Sequence, residues 1–351
     1  MKIGDLKYTA AYINPLLLIL ALMSKNGFLL WLPVIFSFLI IPILELVLTP
    51  QTNNLSIQEM EEKKLHPIFD WMLYLNLVVV YLALLLSARY LTVNELNPIS
   101  YLGLLFSLSL VLASNGINVA HELGHRNNLF EYSLAKFLLL PSLYTHFSIE
   151  HNRGHHLNVA TPLDPSTARY NEVLYKFWFR SIVKGYQHAW KLENHRLKSK
   201  VGMERYFGNE MILNLIISIL YILIIYNVFE LTILLFFLLA AVISVFMLET
   251  INYIEHYGLK RQKNQSGRYE RVNYMHSWDA NYPLGRIVLY ELTRHADHHA
   301  STFKKYQTLN SQDGLNSLPY GYPTSMILAL WPPVWFKIMN KRISENRDYG
   351  Y

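Results

Sequence analysis

The chain has 351 residues, 52% of them hydrophobic and 16% charged, with a formal net charge of +6. Both fractions depart from the soluble average in the direction of membrane proteins. Cysteine is absent, which excludes disulfides, iron–sulfur clusters, thiolate haem and a four-cysteine iron site within these residues.

In chain order, six segments are apolar and near the roughly 20 residues that span a bilayer as a helix. They are about 8–24, 28–49, 71–91, 99–120, 209–228 and 231–250. The first is short and interrupted by Asn14 and Pro15. It is followed directly by a second apolar stretch, so a removed signal peptide is not expected. Gln51–His66 is polar and reads as an inner loop. The segment 134–147 is too short to span and contains Pro141, which predicts an interfacial or re-entrant element. Gln262–Gly267 reads as a surface turn and Asn310–Ser317 as a loop. Ser325–Met339 is apolar but contains Pro332 and Pro333, which argues against a spanning helix and for an interfacial element. With no internal repeats or low-complexity tracts, residues 1–351 read as one integral-membrane domain of all-α class.

Lysine and arginine placement sets the orientation. With the N-terminus inside, all but two of the 31 basic residues fall on inner segments; Lys25 and Arg89 are the exceptions. Both termini and the polar segments of about 121–208 and 251–351 are then cytoplasmic. A basic inner face suits anionic lipid or an acidic soluble partner. No nucleic-acid-binding motif accompanies the charge.

Nine of the 14 histidines fall in four clusters on these cytoplasmic segments: His121 and His125; His151, His155 and His156; His256; and His295, His298 and His299. Residues three or four apart share a helix face, so each multi-histidine cluster can aim its rings at one point. Imidazole is a general ligand for first-row metals. Nine rings are too many for one ion, which predicts a dinuclear, nearly all-nitrogen site. His121-Glu122-Leu123-Gly124-His125 also fits the HExxH pattern of zinc proteases, with Glu as general base. An intramembrane zinc protease is therefore a remote alternative, opposed by the seven further clustered histidines. Glu122, Glu150, Glu255 and Asp297 lie within the clusters and are candidate acceptors for ring N–H groups. His66, His146, His188 and His195 read as structural or exposed.

The chain resembles the membrane-bound alkane 1-monooxygenase (alkane ω-hydroxylase) family, which includes xylene monooxygenase-type hydroxylases. The motifs that carry the resemblance are HELGHR (121–126), EHNRGHH (150–156), NYIEHYGL (252–259) and LTRHADHHA (292–300), with TPLDPSTAR (161–169) and His276-Ser277-Trp278. It covers most of the chain from about residue 110. Arg126 and Thr293 stand where the family usually has Lys and Gln; neither departure removes a ligand. The resemblance implies a six-helix membrane bundle capped by a cytoplasmic di-iron site whose ligands are the nine clustered histidines. His276 and Asp297 become candidates for supporting the ligands. It further implies O2 as co-substrate, insertion of one oxygen atom into a terminal C–H bond to give a primary alcohol, and electrons from rubredoxin served by a flavin reductase. A bacterial inner membrane is the expected location.

The residues point the same way. Attack on an unactivated C–H bond needs a redox metal, which zinc is not. An apolar substrate is already concentrated in the bilayer, and a chain without cysteine needs an external electron donor. Arg126, Arg153, Arg169, Arg294, Lys304 and Lys305 lie near the clusters in sequence and are candidate donor contacts. The nearer alternative is a fatty-acid desaturase or lipid hydroxylase. Those families tend toward HxxHH in the second box, whereas His151–His156 reads HxxxHH. A non-catalytic metal transporter would be expected to place its histidines near mid-membrane.

Overall fold

The computed structural model describes residues 3–24, 26–312, 314 and 316–347. Lys2 and Lys25 of the charge count lie outside the described residues, as do Asp313 and Leu315 of the loop Asn310–Ser317. Among the described residues the structure is helical, with two isolated bridges, Lys263 to Tyr269 and Asp279 to Ser317, and no strand.

Five helical segments are long and apolar enough to cross a membrane: Gly27–Val47, Ile68–Val93, Pro98–Gly124, Glu210–Val228 and Leu231–His256. They match the second to sixth expected spans. The expected first span, 8–24, is instead a 3-10 helix, Ile3–Tyr12, followed by a ten-residue α-helix, Ile13–Leu22. The chain is an integral membrane protein. Its contacts divide it into two compact units: Met1–Ser37, Pro67–Asn152 and Tyr186–Leu248 form the first, and Phe38–His66, Arg153–Gly185 and Glu249–Tyr351 the second.

In the first unit the span Pro98–Gly124 is innermost. Its most apolar window is 78% buried, against 11% for Glu210–Val228, which is left to face lipid. Its start is fixed by Asn97, whose side chain accepts from the Ser100 N–H at 2.9 Å, with Pro98 preset for the first turn. Small residues let neighbours approach: a Cβ at Gly103 would lie 2.7 Å from the Trp31 ring, whose indole N–H donates to the Ile99 carbonyl at 3.0 Å. The span passes through a π-helical turn, Leu112–Ile117. There the buried Asn115 amide donates to Asn76 Oδ1 (2.8 Å) and to the Ala11 carbonyl (3.0 Å). Such turns interrupt the α-helical register and recur at functional sites. The final helix Asn118–Gly124 carries His121. The segment 134–147 is not a span: helix Leu129–Leu139 runs into a 3-10 turn, Leu140–Ser142, closed by Leu143 at φ 52°.

The second unit is built on buried aromatics, among them Phe177, Tyr253, Tyr257, Trp278, Tyr322 and Trp335. The polar atoms of Tyr253 and Trp278 are satisfied internally. Tyr253 donates to the Glu172 carbonyl (2.6 Å) and the Trp278 indole to the Tyr257 carbonyl (3.0 Å). Pro332 and Pro333 do not break a helix. They begin one, Pro332–Arg347, after the separate helix Tyr322–Ala329. A proline in the first turn forfeits only an N–H that has no intrahelical acceptor. The expected inner loop Gln51–His66 contains the exposed helix Ile57–Leu65, started by a capping box between Ser56 and Glu59.

Candidate metal centre

His121 and His125 stand at the C-terminal end of the span Pro98–Gly124, and His151 at the junction of helix Phe147–Glu150 with a π-helical turn, His151–His155. The wider π-helical turn brings positions four and five apart toward one side, which accounts for the spacing of His151, His155 and His156. Within the first unit, His121 and His151 have ring centroids 4.2 Å apart and His125 and His151 5.1 Å apart. The Nε2 atoms of His125 and His151 are 3.1 Å apart.

The second unit gathers His155, His256, His295 and His299, all buried, with one ligand atom from each lying within 4.8 Å of every other. Their Nε2 atoms follow one another closely: His155 to His299 3.2 Å, His299 to His295 2.9 Å, and His295 to His256 3.2 Å. His156 and His298, also in this unit, have ring centroids 4.9 Å apart.

The outer ring nitrogens decide what faces inward. His155 Nδ1 lies 2.9 Å from Asp164 Oδ2, and His256 Nδ1 lies 3.2 Å from the His276 carbonyl oxygen. A carbonyl can only accept, so His256 carries its proton on Nδ1 and presents a bare Nε2 lone pair. Burial pushes the Asp164 carboxyl up, but the His155 ring and the Thr167 hydroxyl more than offset this and hold it below the usual carboxylate range. Ionised Asp164 therefore keeps the His155 proton on Nδ1 as well. Burial, reinforced by the His156 and His295 rings, drives His299 well below the usual imidazole range, so it too is neutral.

The bare Nε2 lone pairs of His155 and His256 need a proton or a cation from the side they face. Two nitrogens about 2.0–2.1 Å from one ion, at angles from about 90° to tetrahedral, are roughly 2.9–3.4 Å apart. The observed separations fall in that interval. The residues present thus fit a metal ion held by neutral imidazoles.

The expected acidic partners are distributed unevenly. Glu255, fully buried, accepts from the Tyr322 hydroxyl at 2.7 Å and has Oε2 3.2 Å from His295 Nε2. His276 contributes through its carbonyl; its ring accepts from the Asn273 N–H (3.0 Å) and faces Glu270 (3.3 Å). Glu122 is paired with Arg126 at 2.9 Å, and Glu150 with His188 Nδ1 at 3.1 Å. Asp297 accepts from Lys304 (2.8 Å) and from the Asn310 N–H (2.8 Å), clamping a loop onto helix His295–Ala300. Two acids were not among the expected residues. Asp164 is one. The other is Asp279, whose Oδ1 accepts from the Ala296 N–H at 2.7 Å and so fixes the start of the helix carrying His295, His298 and His299. Burial pushes the Asp279 carboxyl up to about 7. Both stand in or beside motifs already conspicuous in the sequence, TPLDPSTAR and His276-Ser277-Trp278, with partners nine residues away for Asp164 and 17 for Asp279.

The fold and its buried, facing imidazoles define an integral-membrane protein with a histidine-rich site suited to a non-haem metal. Residues 97–309 match the sequence profile of the fatty acid desaturase family. An alkane 1-monooxygenase of Pseudomonas putida is 35% identical over 87% of this chain and 75% of its own length, and alkane 1-monooxygenase 1 of Alcanivorax borkumensis is 34% identical over 93% and 81%. The xylene/toluene monooxygenase hydroxylase component of Pseudomonas putida is 24% identical over 73% and 68%. The chain belongs to the alkane 1-monooxygenase family.

Proposed function

We propose that this enzyme hydroxylates the terminal carbon of apolar hydrocarbons, acting as one hydroxylase domain on two iron ions. One ion would be held by His155, His256, His295 and His299, and the remaining ligands would come from among His121, His125, His151, His156 and His298. The observation that carries the reading is the run of buried Nε2 atoms 2.9–3.2 Å apart, a spacing that suits nitrogens sharing one cation.

Bound reduced iron would supply the dioxygen chemistry, with one oxygen atom going to the terminal C–H bond, the other to water, and two electrons and two protons consumed. The chain's own part is orientation and insulation. Asp164 and the His276 carbonyl fix ring tautomers. Tyr322 holds Glu255 beside His295, and Asp279 anchors the helix that carries three of the rings.

An apolar cavity of about 670 Å3 within the first unit, lined by residues such as Leu84, Phe137, Tyr221, Ile225 and Phe237, supports uptake of a hydrocarbon from the bilayer. The absence of cysteine supports a separate donor, a rubredoxin-type protein with its flavin reductase. The basic bias of the histidine-bearing segments supports a cytoplasmic centre at a bacterial inner membrane. Reconstitution with such a donor, 18O-labelled dioxygen and a panel of alkanes, fatty acyl chains and aromatic methyl compounds tests the proposal. Label in a primary alcohol is the expected result. An unlabelled alkene would make the enzyme a desaturase.

A further inference from the structure

Two loops of the second unit leave the helices that carry its histidines and meet again. One follows His155 and His156 and runs through 159–170; the other follows His256 and runs through 258–270. Backbone bonds stitch them together: Gly258 N–H donates to the Ala168 carbonyl (3.0 Å) and Arg261 N–H to the Ala160 carbonyl (2.8 Å). The Arg261 guanidinium reinforces the join by donating to the carbonyls of Leu157 (2.7 Å) and Glu270 (2.9 Å). Between the loops lies a preformed cleft of about 740 Å3. Exposed Arg169, Lys260 and Lys263 line it, with Arg261 and Tyr269, and so does the buried Asp164.

The charge of this cleft is only partly offset by Asp164. The stretch 260–271 contains Lys260, Arg261, Lys263, Arg268 and Arg271 against one acid, Glu270. The cations near the histidines in sequence are largely committed elsewhere. Arg126 is paired with Asp70, Glu122 and Glu131, Lys304 with Asp297, and buried Arg294 donates to the carbonyls of Leu309 and Asn53. Of the six cations expected to meet a donor, Arg169 is the one that lines the cleft.

We propose that this cleft is the docking site for an acidic electron-carrier protein. The inference rests on the monooxygenase reading, which requires electrons from outside a chain that has no cysteine. Three observations converge on it. The surface is concave and cationic, so it attracts and orients an acidic protein. Its side walls are held by main-chain bonds before any partner arrives. Its lining includes Asp164, whose carboxylate is bonded to His155, so a seated partner is separated from a clustered histidine by one hydrogen-bonded side chain.

The test uses the full chain in phosphatidylcholine nanodiscs and, as probe, a rubredoxin with zinc in place of its iron. The expected result is saturable binding that weakens about tenfold or more, with a shallower salt dependence, on joint Arg169→Glu, Lys260→Glu and Lys263→Glu substitution. Joint Lys184→Glu, Lys191→Glu and Lys198→Glu substitution, at exposed lysines that do not line the cleft, should leave binding within about twofold. The neutral set Arg169→Gln, Lys260→Gln and Lys263→Gln should give an intermediate loss and serves if the reversed set misfolds. Unchanged affinity in the cleft variants, an equal loss in the control set, or binding that needs added anionic lipid would overturn the proposal. Hydroxylation driven by a chemical reductant should be equal in wild type and cleft variants. If the wild type binds the probe through the cleft but oxidises no hydrocarbon under any reductant, the monooxygenase reading fails while the docking site stands.

Discussion

Asp164 Oδ2 lies 2.9 Å from His155 Nδ1, on the side of the ring opposite the nitrogen that meets His299. The carboxylate is fully enclosed, accepts from Thr167 as well, and fixes the proton of His155 away from the cluster. Asp164→Asn removes the anion and offers an amide N–H that can bond a deprotonated Nδ1, moving the ring proton to Nε2. Metal retention and turnover should each fall about 10–100-fold, as for other supports of metal-bound histidines. Iron per chain after dialysis, measured beside activity, checks this.

His295 Nε2 is near three groups at once, His256 (3.2 Å), His299 (2.9 Å) and Glu255 (3.2 Å). His295→Ala should therefore abolish turnover and lower bound metal while leaving membrane insertion intact, since the residue lies outside the five spans. His188, bonded to Glu150, belongs to neither histidine group, and His188→Ala should keep its metal, costing about 1 kcal/mol of stability for the lost bond. Elemental analysis of both purified variants separates the two cases.

The helix packing at Gly103 predicts a purely structural defect. A side chain there would meet the Trp31 ring at 2.7 Å, so Gly103→Ala should destabilise the protein by about 1–3 kcal/mol through overpacking. Trp31→Leu in the same chain should recover part of the loss. Thermal unfolding in detergent reads both, with metal content unchanged at low temperature.

His146, outside the spans, sets an acid limit on stability. Burial, with a smaller contribution from Lys136, pushes its pKa down to about 3. The unfolded chain binds this proton near pH 6.5, so the unfolded state gains stability as pH falls below that value. The contribution of neutral His146 is complete above about pH 6.5 and is lost as pH falls toward 3, at about 1.4 kcal/mol per pH unit. His146→Phe should flatten the pH dependence of the unfolding midpoint between pH 6 and 4. An unchanged slope would show that the ring is protonated in the fold.

Much of this architecture is written locally. Five of the expected spans are present, because a run of about 20 apolar residues has few alternatives to a helix. Two of them continue past the apolar run, to Gly124 and to His256, where the sequence turns polar. Those polar residues include His121, Glu255 and His256, buried in the fold. The first expected span is helical too, but apolar composition does not reveal that it forms as a 3-10 segment followed by a short α-helix. The histidine clusters were legible from spacing alone. Asp164 and Asp279 were not: each meets its ring or helix through a loop, and an acid in a loop has no periodicity to betray it. The pairing of nearby cations was not legible either: Arg126 and Lys304 are ion-paired in the structure, whereas the sequence marked the basic loop after Gly258 only as a surface turn.

The central claim is that bare, inward-facing Nε2 atoms hold redox metal. Iron K-edge X-ray absorption on the purified protein, with elemental analysis of the same sample, tests it most directly. The account predicts about two irons per chain in shells dominated by imidazole nitrogen at about 2.1 Å. A single zinc, or iron lacking imidazole scattering, would contradict it.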